Sequence, residues 1–268
     1  LQPLDTLVLE KALTVSGWFD FVDTLLAHPD STLPYTLTEH LLVHANPWLI
    51  DSLAHTDYYY RREQGDTLLD QPAWPLLDSG TVLFIPSSEE ADSIRAFLDR
   101  ILIDVNIPEF RMRLWAGDSL LYTFPVRVGR YERKYLEMAG REVDLRTATG
   151  RGSIIRINRR PEFIDPCSNR PYKYTRRDDG VSTKTPLIPW LEPELDGRRP
   201  GHMIHPTTNA VTLGKAYSNG CIGLSEAAAW RLYYHAPLGT EVLFRYDLQV
   251  VNESGDTLRL ADIYGLGE

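Results

Sequence analysis

A histidine and a cysteine sixteen residues apart have the chemistry and the local context that covalent catalysis requires. His205 lies in Ile204-His205-Pro206-Thr207, and Cys221 lies in Ser218-Asn219-Gly220-Cys221-Ile222. A free thiol, with a pKa of about 8.5, is only slightly ionised at neutral pH, so an imidazole that removes its proton makes it a better nucleophile. The pair therefore predicts a cysteine nucleophile and a histidine base; a buried structural cysteine is the alternative.

The residues around Cys221 favour the catalytic interpretation. Gly220 permits a sharp turn that brings backbone N–H groups near the thiol, as an oxyanion site needs. Ser225-Glu226 predicts the start of an Ala-rich helix whose positive end would lie near the thiol. Such an activated thiol is expected to react with iodoacetamide before Cys167, the second of two cysteines. In papain-like peptidases the cysteine precedes the histidine, so the order found here argues against that class.

Charge is distributed unevenly along the 268 residues, which have a net charge of −9. Residues 1–106 contain 5 basic and 17 acidic side chains, net −12, and residues 107–268 contain 23 and 20, net +3. This contrast predicts two domains that meet near Asn106-Ile107-Pro108. Residues 127–177 hold 14 basic and 6 acidic side chains, which fits either a solvated surface or a groove for an anionic substrate.

Composition and apolar runs also bear on nucleic-acid binding, membrane insertion and export. The acidic balance and the lack of an RNP-like aromatic pattern argue against nucleic acid. No stretch of eighteen apolar residues occurs, so no transmembrane segment is predicted. The chain begins Leu1-Gln2-Pro3 without Met, which fits a trimmed export signal.

The pattern of apolar residues predicts an α+β fold. Helices are predicted from Thr36 to about Ala45, over 18–27, and from Ser87 along an apolar stripe to Val105. From Arg111 the pattern becomes that of strands, with a hairpin over 111–126 and one helix after the cysteine. Further strands are predicted over 153–157, 201–204, 240–250 and 257–260. The sequence thus indicates a mostly β domain preceded by a smaller, mainly helical N-terminal domain.

Four segments in this order resemble the motifs of the L,D-transpeptidase (YkuD-type) catalytic domain family. Phe124–Gly129 is similar to its apolar-Pro-Val-Ser-Thr-Gly strand, and Thr147–Gly152 to its Thr-Pro-Thr-Gly turn. His205-Pro206-Thr207 is similar to its His-Gly-Thr, and Ser218–Leu224 to its Ser/Thr-His-Gly-Cys-apolar-Arg/Asn. The resemblance implies a β-sandwich or barrel-like catalytic domain over residues 107–268. Asn219 replaces the second family histidine and Gly223 the Arg or Asn.

The resemblance also implies a substrate and a mechanism, without a cofactor or a metal. The Cys221 thiolate would attack the carbonyl at the L-centre of a diacid residue in a peptidoglycan stem, expel the terminal D-Ala and form a thioester, which an amine of another stem or water resolves. His205, oriented by a backbone carbonyl, would protonate the leaving amine, and the N–H groups of Cys221 and Gly220 would hold the oxyanion. Such an enzyme would act in the periplasm or cell envelope.

The remaining site predictions concern binding. Ser218, Asn219 and His202 are expected in the oxyanion and substrate-binding region; Asn219 cannot carry a proton but can donate an N–H. Since Gly223 removes a cation that could hold a stem carboxylate, an arginine elsewhere is expected to supply it. The candidates are Arg127, Arg151 and Arg231.

Other functions remain open. The same scaffold could serve an L,D-carboxypeptidase or endopeptidase, or a catalytically weak peptidoglycan-binding protein, since residues 45–48 and 77–86 faintly resemble a LysM-type module. A sortase-like enzyme would need an arginine after the cysteine, for which Arg245 is available, but the Ser-Asn-Gly-Cys context differs. Zinc sites at His40/His44 or at His202/His205 with Cys221 are disfavoured, because a third ligand or a shared face is missing.

Overall fold

The structure is a computed structural model that describes residues 6–27, 33–252 and 254–267. Its described residues form these helices: α1 (Val15–Ala27), α2 (Glu39–Ala45), α3 (Trp48–Ala54), α4 (Tyr58–Glu63), α5 (Ser88–Leu98) and α6 (Glu226–His235). The strands before residue 140 are β1 (Thr6–Val8), β2 (Leu13–Thr14), β3 (Pro75–Leu77), β4 (Val82–Phe84), β5 (Ile101–Asn106), β6 (Arg111–Ala116), β7 (Ser119–Pro125), β8 (Val128–Gly129) and β9 (Arg133–Leu136).

The later strands are β10 (Arg141–Asp144), β11 (Gly150–Asn158), β12 (Ile164–Asp165), β13 (Arg170–Pro171), β14 (Tyr174–Arg176), β15 (Ser182–Lys184), β16 (Trp190–Leu195), β17 (Ile204–Pro206), β18 (Ala216–Ser218), β19 (Ile222–Leu224), β20 (Glu241–Arg245), β21 (Gln249–Val251) and β22 (Thr257–Arg259). Short 3-10 turns lie at Gln71–Ala73, Ile107–Glu109 and Ala210–Thr212. The fold is therefore mostly β, and its helices are mainly N-terminal, as the sequence predicts.

An eight-stranded sheet forms the centre of the molecule, in the order β19-β17-β16-β11-β20-β5-β6-β7. The pairs β17–β19 and β5–β20 are parallel, and the other neighbours are antiparallel. Just beyond the end of β7, Arg127 forms an antiparallel bridge with Gly223 in β19, the strand at the opposite edge. We call these two residues the closing pair, because they bring the two edges together and nearly close the sheet into a barrel.

Helix α6 follows β19 and carries the contact between the sheet and the N-terminal helices. Trp230, Tyr233 and Tyr234 of α6 are fully or almost fully buried in one hydrophobic core that includes residues of the first 100. Trp18 Nε1 donates a hydrogen bond of 2.6 Å to the Tyr234 hydroxyl, and Phe19 packs on Trp230. The burial of these large aromatic side chains stabilises the position of α6 against the sheet.

Two histidines of α2 bind the last turn of α6. His40 Nε2 lies 3.1 Å from the carbonyl oxygen of Tyr233, and His44 Nε2 lies 2.7 Å from that of Tyr234. The last carbonyls of a helix have no partner within the helix, so an N–H group from outside is needed when they are buried. The shared face of His40 and His44 thus serves a helix end. Among the described residues, no group of three or more His, Cys, Asp or Glu side chains could hold a metal ion.

The structure confirms some helix predictions and corrects others. Ser87 and Glu90 form the expected capping box at the start of α5. The predicted stripe to Val105 is wrong beyond Leu98, since Ile101–Asn106 is strand β5 in the middle of the sheet. A short apolar run rich in β-branched residues fits a helix or a buried strand equally well. Here the run forms a strand because it pairs with β6 and β20 on either side.

Helix α2 also begins later than expected, at Glu39, with Thr38 rather than Thr36 as its N-cap. The strand predicted at 201–204 lies at Ile204–Pro206. A division of the chain into two domains stays a prediction; because β5 belongs to the central sheet, the second domain would then have to include it.

The acidic and basic segments neutralise each other within the molecule. Arg159, from the basic segment, forms ion pairs with Asp23 (2.6 Å) and Glu39 (2.8 Å), and Arg160 pairs with Asp20 (2.7 Å) and Asp23 (2.9 Å). Some of the basic side chains in residues 127–177 therefore form ion pairs with the acidic N-terminal segment. None of the described helices is long and apolar enough to cross a membrane.

Candidate active site

Two neighbouring parallel strands place the histidine and the cysteine. His205 in β17 is in register with Gly223 in β19, and the Met203 amide donates a hydrogen bond of 3.4 Å to the Cys221 Sγ. Because alternate residues of a strand face the same side, His205 and Cys221 lie on one face, two residues apart along adjacent strands. Both are half-buried. The pairing of β17 with β19 thus brings together two residues that are sixteen apart in sequence.

The His205 ring is held in one orientation. Its Nδ1 lies 2.8 Å from the Pro206 carbonyl oxygen, which can only accept, so Nδ1 carries the proton and Nε2 is left with a lone pair. The ring packs against Trp190 with 4.9 Å between ring centroids. A backbone carbonyl thus orients the ring, as expected, while the role of His205 as the base stays a prediction. Burial, and secondly the Arg127 charge, lower the His205 pKa to about 4, so the ring is neutral at pH 7.

The Cys221 thiol is not at a helix N-terminus. Helix α6 begins at Glu226, beyond the far end of β19 from Cys221. The prediction that the positive end of this helix lies near the thiol is therefore wrong. Burial raises the pKa of the thiol, while the Met203 N–H and the Arg127 charge oppose this effect. The resting thiol is therefore protonated at neutral pH, and the labelling of Cys221 before Cys167 by iodoacetamide stays a prediction.

A neutral thiol beside a neutral imidazole needs a proton transfer at the moment of attack. Within the described residues, no hydrogen bond joins the His205 ring to the Cys221 Sγ. Such contacts commonly tighten only when the substrate binds. The arrangement therefore fits a base that acts during the reaction better than a preformed ion pair.

The loop before Cys221 leaves one amide free for an oxyanion. The Gly220 N–H donates a hydrogen bond to Ser218 Oγ (3.2 Å), and the Ser218 hydroxyl donates one to the Cys221 carbonyl oxygen (2.6 Å). Ser218 thus stabilises the loop, and its hydroxyl occupies the Gly220 N–H, which is then not available to an oxyanion. The Cys221 N–H has no acceptor among the described residues, and the same holds for the Asn219 side-chain amide. Of the two amides expected at the oxyanion site, that of Cys221 is the available one.

His202 packs directly against the glycine of this loop. Gly220 has φ +110°, and a Cβ added there would lie 2.5 Å from His202 Nε2. The His202 Nδ1 accepts a hydrogen bond from the Ala148 amide at 3.3 Å, and burial lowers the pKa of the ring to about 4. Only glycine fits at position 220, both for its backbone and for the space that the ring occupies.

Arg127 occupies the space beside the other glycine of the motif. A Cβ added at Gly223 would lie 2.9 Å from Arg127 Nε, so the guanidinium stands where a side chain at 223 would begin. Nη1 lies 3.4 Å from Thr212 Oγ1, and Nε is buried with no hydrogen-bond partner in the described part of the chain. Within the described chain Arg127 has no carboxylate partner. An unpaired, largely buried guanidinium close to a thiol has the charge and the free donors that an anion requires.

The other two candidate arginines are engaged elsewhere. Arg151 is exposed and forms an ion pair with Glu241 on the neighbouring strand β20. Arg231 pairs with Asp51 at 3.1 Å and lies over the Tyr122 ring. The structure brings Arg127 to the site and places Arg151 and Arg231 in other contacts.

The comparison with known families agrees with this geometry. Residues 100–244, more than half of the chain, match the family model of the YkuD L,D-transpeptidase catalytic domain. The chain belongs to this family. No curated protein sequence gives a significant match.

Solved L,D-transpeptidases are among the structures similar to this chain, at low sequence identity and low TM-score. One from Mycobacterium smegmatis is 15% identical with a TM-score of 0.36, over 55% of this chain and 58% of its own. One from Xylanimonas cellulosilytica is 13% identical with a TM-score of 0.40, over 81% and 98%. L,D-transpeptidase 3 from Mycobacterium tuberculosis, solved with a faropenem-derived adduct, is 15% identical with a TM-score of 0.37, over 55% and 60%. The chain thus spans less than two thirds of the length of the first of these.

The L,D-transpeptidase domain also contains site residues that the sequence did not single out. Trp190, at the start of β16, packs on His205, and Phe163 packs on Trp190 with 4.9 Å between centroids. Tyr172 continues this row next to Phe163 at 5.8 Å. The Trp190 Nε1 is buried and finds no hydrogen-bond partner among the residues that the structure describes. The three aromatics lie in a loop-rich stretch without a repeating pattern, so only the fold reveals that Trp190 packs on His205 and that the other two extend the row.

Proposed function

We propose that Cys221 and His205 carry out L,D-transpeptidation on peptidoglycan stem peptides through a thioester intermediate. The observation that carries the proposal is the pairing of β17 with β19, which puts the thiol and a neutral, oriented imidazole on one face. The family membership supports the reaction class. The substrate would place the enzyme in the cell envelope.

In the acylation step His205 Nε2 takes the thiol proton as Sγ attacks the carbonyl carbon of the stem. The S–C bond forms, the electron pair of the carbonyl moves to oxygen, and a tetrahedral oxyanion results. When it collapses, the C–N bond to the terminal D-Ala breaks and the proton on His205 passes to the leaving amine. An amine of a second stem, deprotonated by the same ring, then attacks the thioester and regenerates the thiol.

The oxyanion would be held by the Cys221 N–H and by the Asn219 side chain. Both donors lie in the loop that precedes the thiol, and neither has another acceptor within the described chain. Each donor aimed at the developing charge is worth about a hundredfold or more in rate. Asn219 would thus contribute a hydrogen bond where the family histidine is missing.

Arg127 would bind a carboxylate of the stem and replace the family cation that Gly223 lacks. Its guanidinium lies over Gly223, beside the thiol, although Arg127 follows β7, the strand at the opposite edge of the sheet. A carboxylate would satisfy the buried Nε and neutralise the unpaired charge. The same cation opposes protonation of His205 and so keeps the base neutral.

The direct test is incubation with purified disaccharide-tetrapeptides and mass spectrometry of the products. Cross-linked dimers that have lost one D-Ala are expected. Products that have lost D-Ala without cross-linking would indicate the carboxypeptidase alternative, and an intact substrate would indicate a binding protein. Cys221→Ala should abolish the reaction while leaving the fold intact, and Cys167→Ala is the matched control.

A carbapenem tests the thioester step separately. Its strained lactam carbonyl should acylate Cys221: the S–C bond forms, the lactam C–N bond opens, and the thiol proton passes to the ring nitrogen. Intact-protein mass spectrometry should show one adduct in the parent chain and none in Cys221→Ala. An adduct that persists in Cys221→Ala would contradict the assignment of the nucleophile.

A further inference from the structure

Tyr264 forms a buried bridge near the end of the chain, outside residues 100–244 that match the family. Its side chain is 1% exposed. The hydroxyl donates to the Gly129 carbonyl oxygen at 2.5 Å and accepts from the Thr147 amide at 3.1 Å. Burial raises the pKa of the phenol, which therefore keeps the proton that it donates. Tyr264 thus ties strand β8 to the turn at residue 147.

Thr147 passes this connection on to the loop of the nucleophile. Its Oγ1 accepts from the Gly129 amide at 2.8 Å and donates to the Gly220 carbonyl oxygen at 2.9 Å. The next residue, Ala148, donates its amide to His202, whose ring packs against Gly220. The turn at 147–148 therefore determines the surroundings of Gly220 on two sides.

The bond to the Gly220 carbonyl also determines the direction of the Cys221 amide. The Gly220 C=O and the Cys221 N–H belong to one planar trans peptide unit and point in opposite directions. While Thr147 holds the carbonyl, the N–H must point away from Thr147. Without this bond the freedom of a glycine backbone would let the peptide plane rotate.

We propose that Tyr264, acting through Thr147, is a positioning residue that aims the Cys221 N–H at the oxyanion. This inference rests on the proposed function. The C-terminal segment that carries Tyr264 is itself fixed, because the Tyr264 ring stacks on Tyr246 with 5.4 Å between centroids and its amide donates to the Tyr246 hydroxyl at 2.7 Å. The Tyr246 hydroxyl in turn donates to Asp262 at 2.7 Å. A segment beyond the family match would thus complete the active site.

Two electrophiles that react with the same thiol distinguish a loss of oxyanion positioning from a general disturbance of the structure around Cys221. Acylation by a carbapenem develops an oxyanion and needs the Cys221 N–H. Alkylation by iodoacetamide does not: sulfur displaces iodide from a saturated carbon, the thiol proton is lost, and no oxyanion forms. Both rates are measured by peptide mass spectrometry at Cys221, in the full chain.

In Tyr264→Phe and Thr147→Val, the acylation rate should fall at least about tenfold. Complete loss of one oxyanion donor lowers a rate by about a hundredfold or more, and a misaligned donor should lose part of that effect. Alkylation should stay within about twofold of the parent. Thr147→Ser keeps the hydroxyl and should restore most of the acylation rate. Tyr131→Phe is the matched control, because Tyr131 is 68% exposed and its ring lies 6.5 Å from that of Tyr264.

Each other outcome is informative. Parental acylation rates in Tyr264→Phe and Thr147→Val would overturn the inference, and so would an equal loss of acylation and alkylation, which indicates a structural role only. A parent chain that a carbapenem does not acylate would contradict the proposed function itself, and the inference with it.

Discussion

Two groups of buried histidines differ in what their surroundings leave free. His40, His44 and His235 lie between α2 and α6, where His44 and His235 are 5.1 Å apart, and burial is the main reason why the pKa of each is lowered. His205 beside the thiol has a pKa of about 4, as do His40 and His235, for the same main reason. A lowered pKa therefore does not distinguish a base from a structural histidine here.

The difference lies in the groups that surround each ring. In both groups one ring nitrogen is bonded to a backbone carbonyl, as with His44 and Tyr234 (2.7 Å) or His235 and Arg231 (2.7 Å). The His205 ring lies on the same face as the Cys221 thiol, and Arg127 is near enough for its charge to lower the pKa of the ring. In the interhelical group the remaining ring surface packs on aromatic residues, including Phe97 and Tyr122. The surroundings of the ring, not its pKa, single out His205 as the proposed base.

The largest effect on this comparison is expected from His205→Ala. Loss of a positioned acid–base should lower kcat by at least about a hundredfold, with little change in the unfolding midpoint. Steady-state kinetics on a tetrapeptide stem and a urea titration measure the two quantities. His202→Ala should lower kcat much less; equal losses in the two variants would mean that the base is wrongly assigned.

His44→Ala should show the opposite pattern. Removing its ring leaves the Tyr234 carbonyl without a partner, which should lower the free energy of unfolding by about 1–3 kcal/mol, while kcat of the folded protein stays near the parental value. His55→Ala is the matched control, because His55 is exposed and should change stability by less than about 0.5 kcal/mol. A large loss of kcat without a loss of stability in His44→Ala would break the comparison.

Arg127→Met tests whether the neighbouring cation keeps His205 neutral. The charge disfavours the imidazolium, so its removal should raise the His205 pKa and move the acid limb of the kcat/KM profile from near pH 4 to higher pH. Loss of the carboxylate contact should also lower kcat/KM at least about tenfold. Adding Gly223→Arg to this variant returns a cation to the vacated space and should recover part of the loss. An unchanged acid limb in Arg127→Met would contradict the electrostatic role.

Asn219→His adds a histidine to the catalytic group and should have the smallest effect. If Asn219 offers a hydrogen bond, the rate should change by less than about tenfold, or about 1.4 kcal/mol in the barrier. Asn219→Ala should cost more, because it removes a donor. An Asn219→Ala protein as active as the parent would exclude Asn219 from catalysis, and a large gain from Asn219→His would indicate a weakened natural enzyme.

Local sequence signals account for the parts of the site that the sequence predicted. The turn at Gly220, the capping box at Ser87 and the hairpin over 111–126 depend on neighbouring residues, and each is present. The position of Arg127 over Gly223 depends on the near closure of an eight-stranded sheet, which no local pattern encodes. For the same reason Ile101–Asn106 could not be distinguished from the end of a helix, and the use of His44 as a helix cap could not be foreseen.

The closing pair has a consequence for how heat inactivates the protein. Two backbone hydrogen bonds, from Arg127 N to Gly223 O (2.9 Å) and from Gly223 N to Arg127 O (2.8 Å), form this bridge, whereas β5 and β6 pair over six residues each. Short pairings open locally at a lower free energy than long ones. Amide hydrogen exchange should therefore be faster at Gly223 than at Ile103. Since opening the bridge also moves Arg127 away from the thiol, warming should reversibly lower the proposed activity before the chain unfolds.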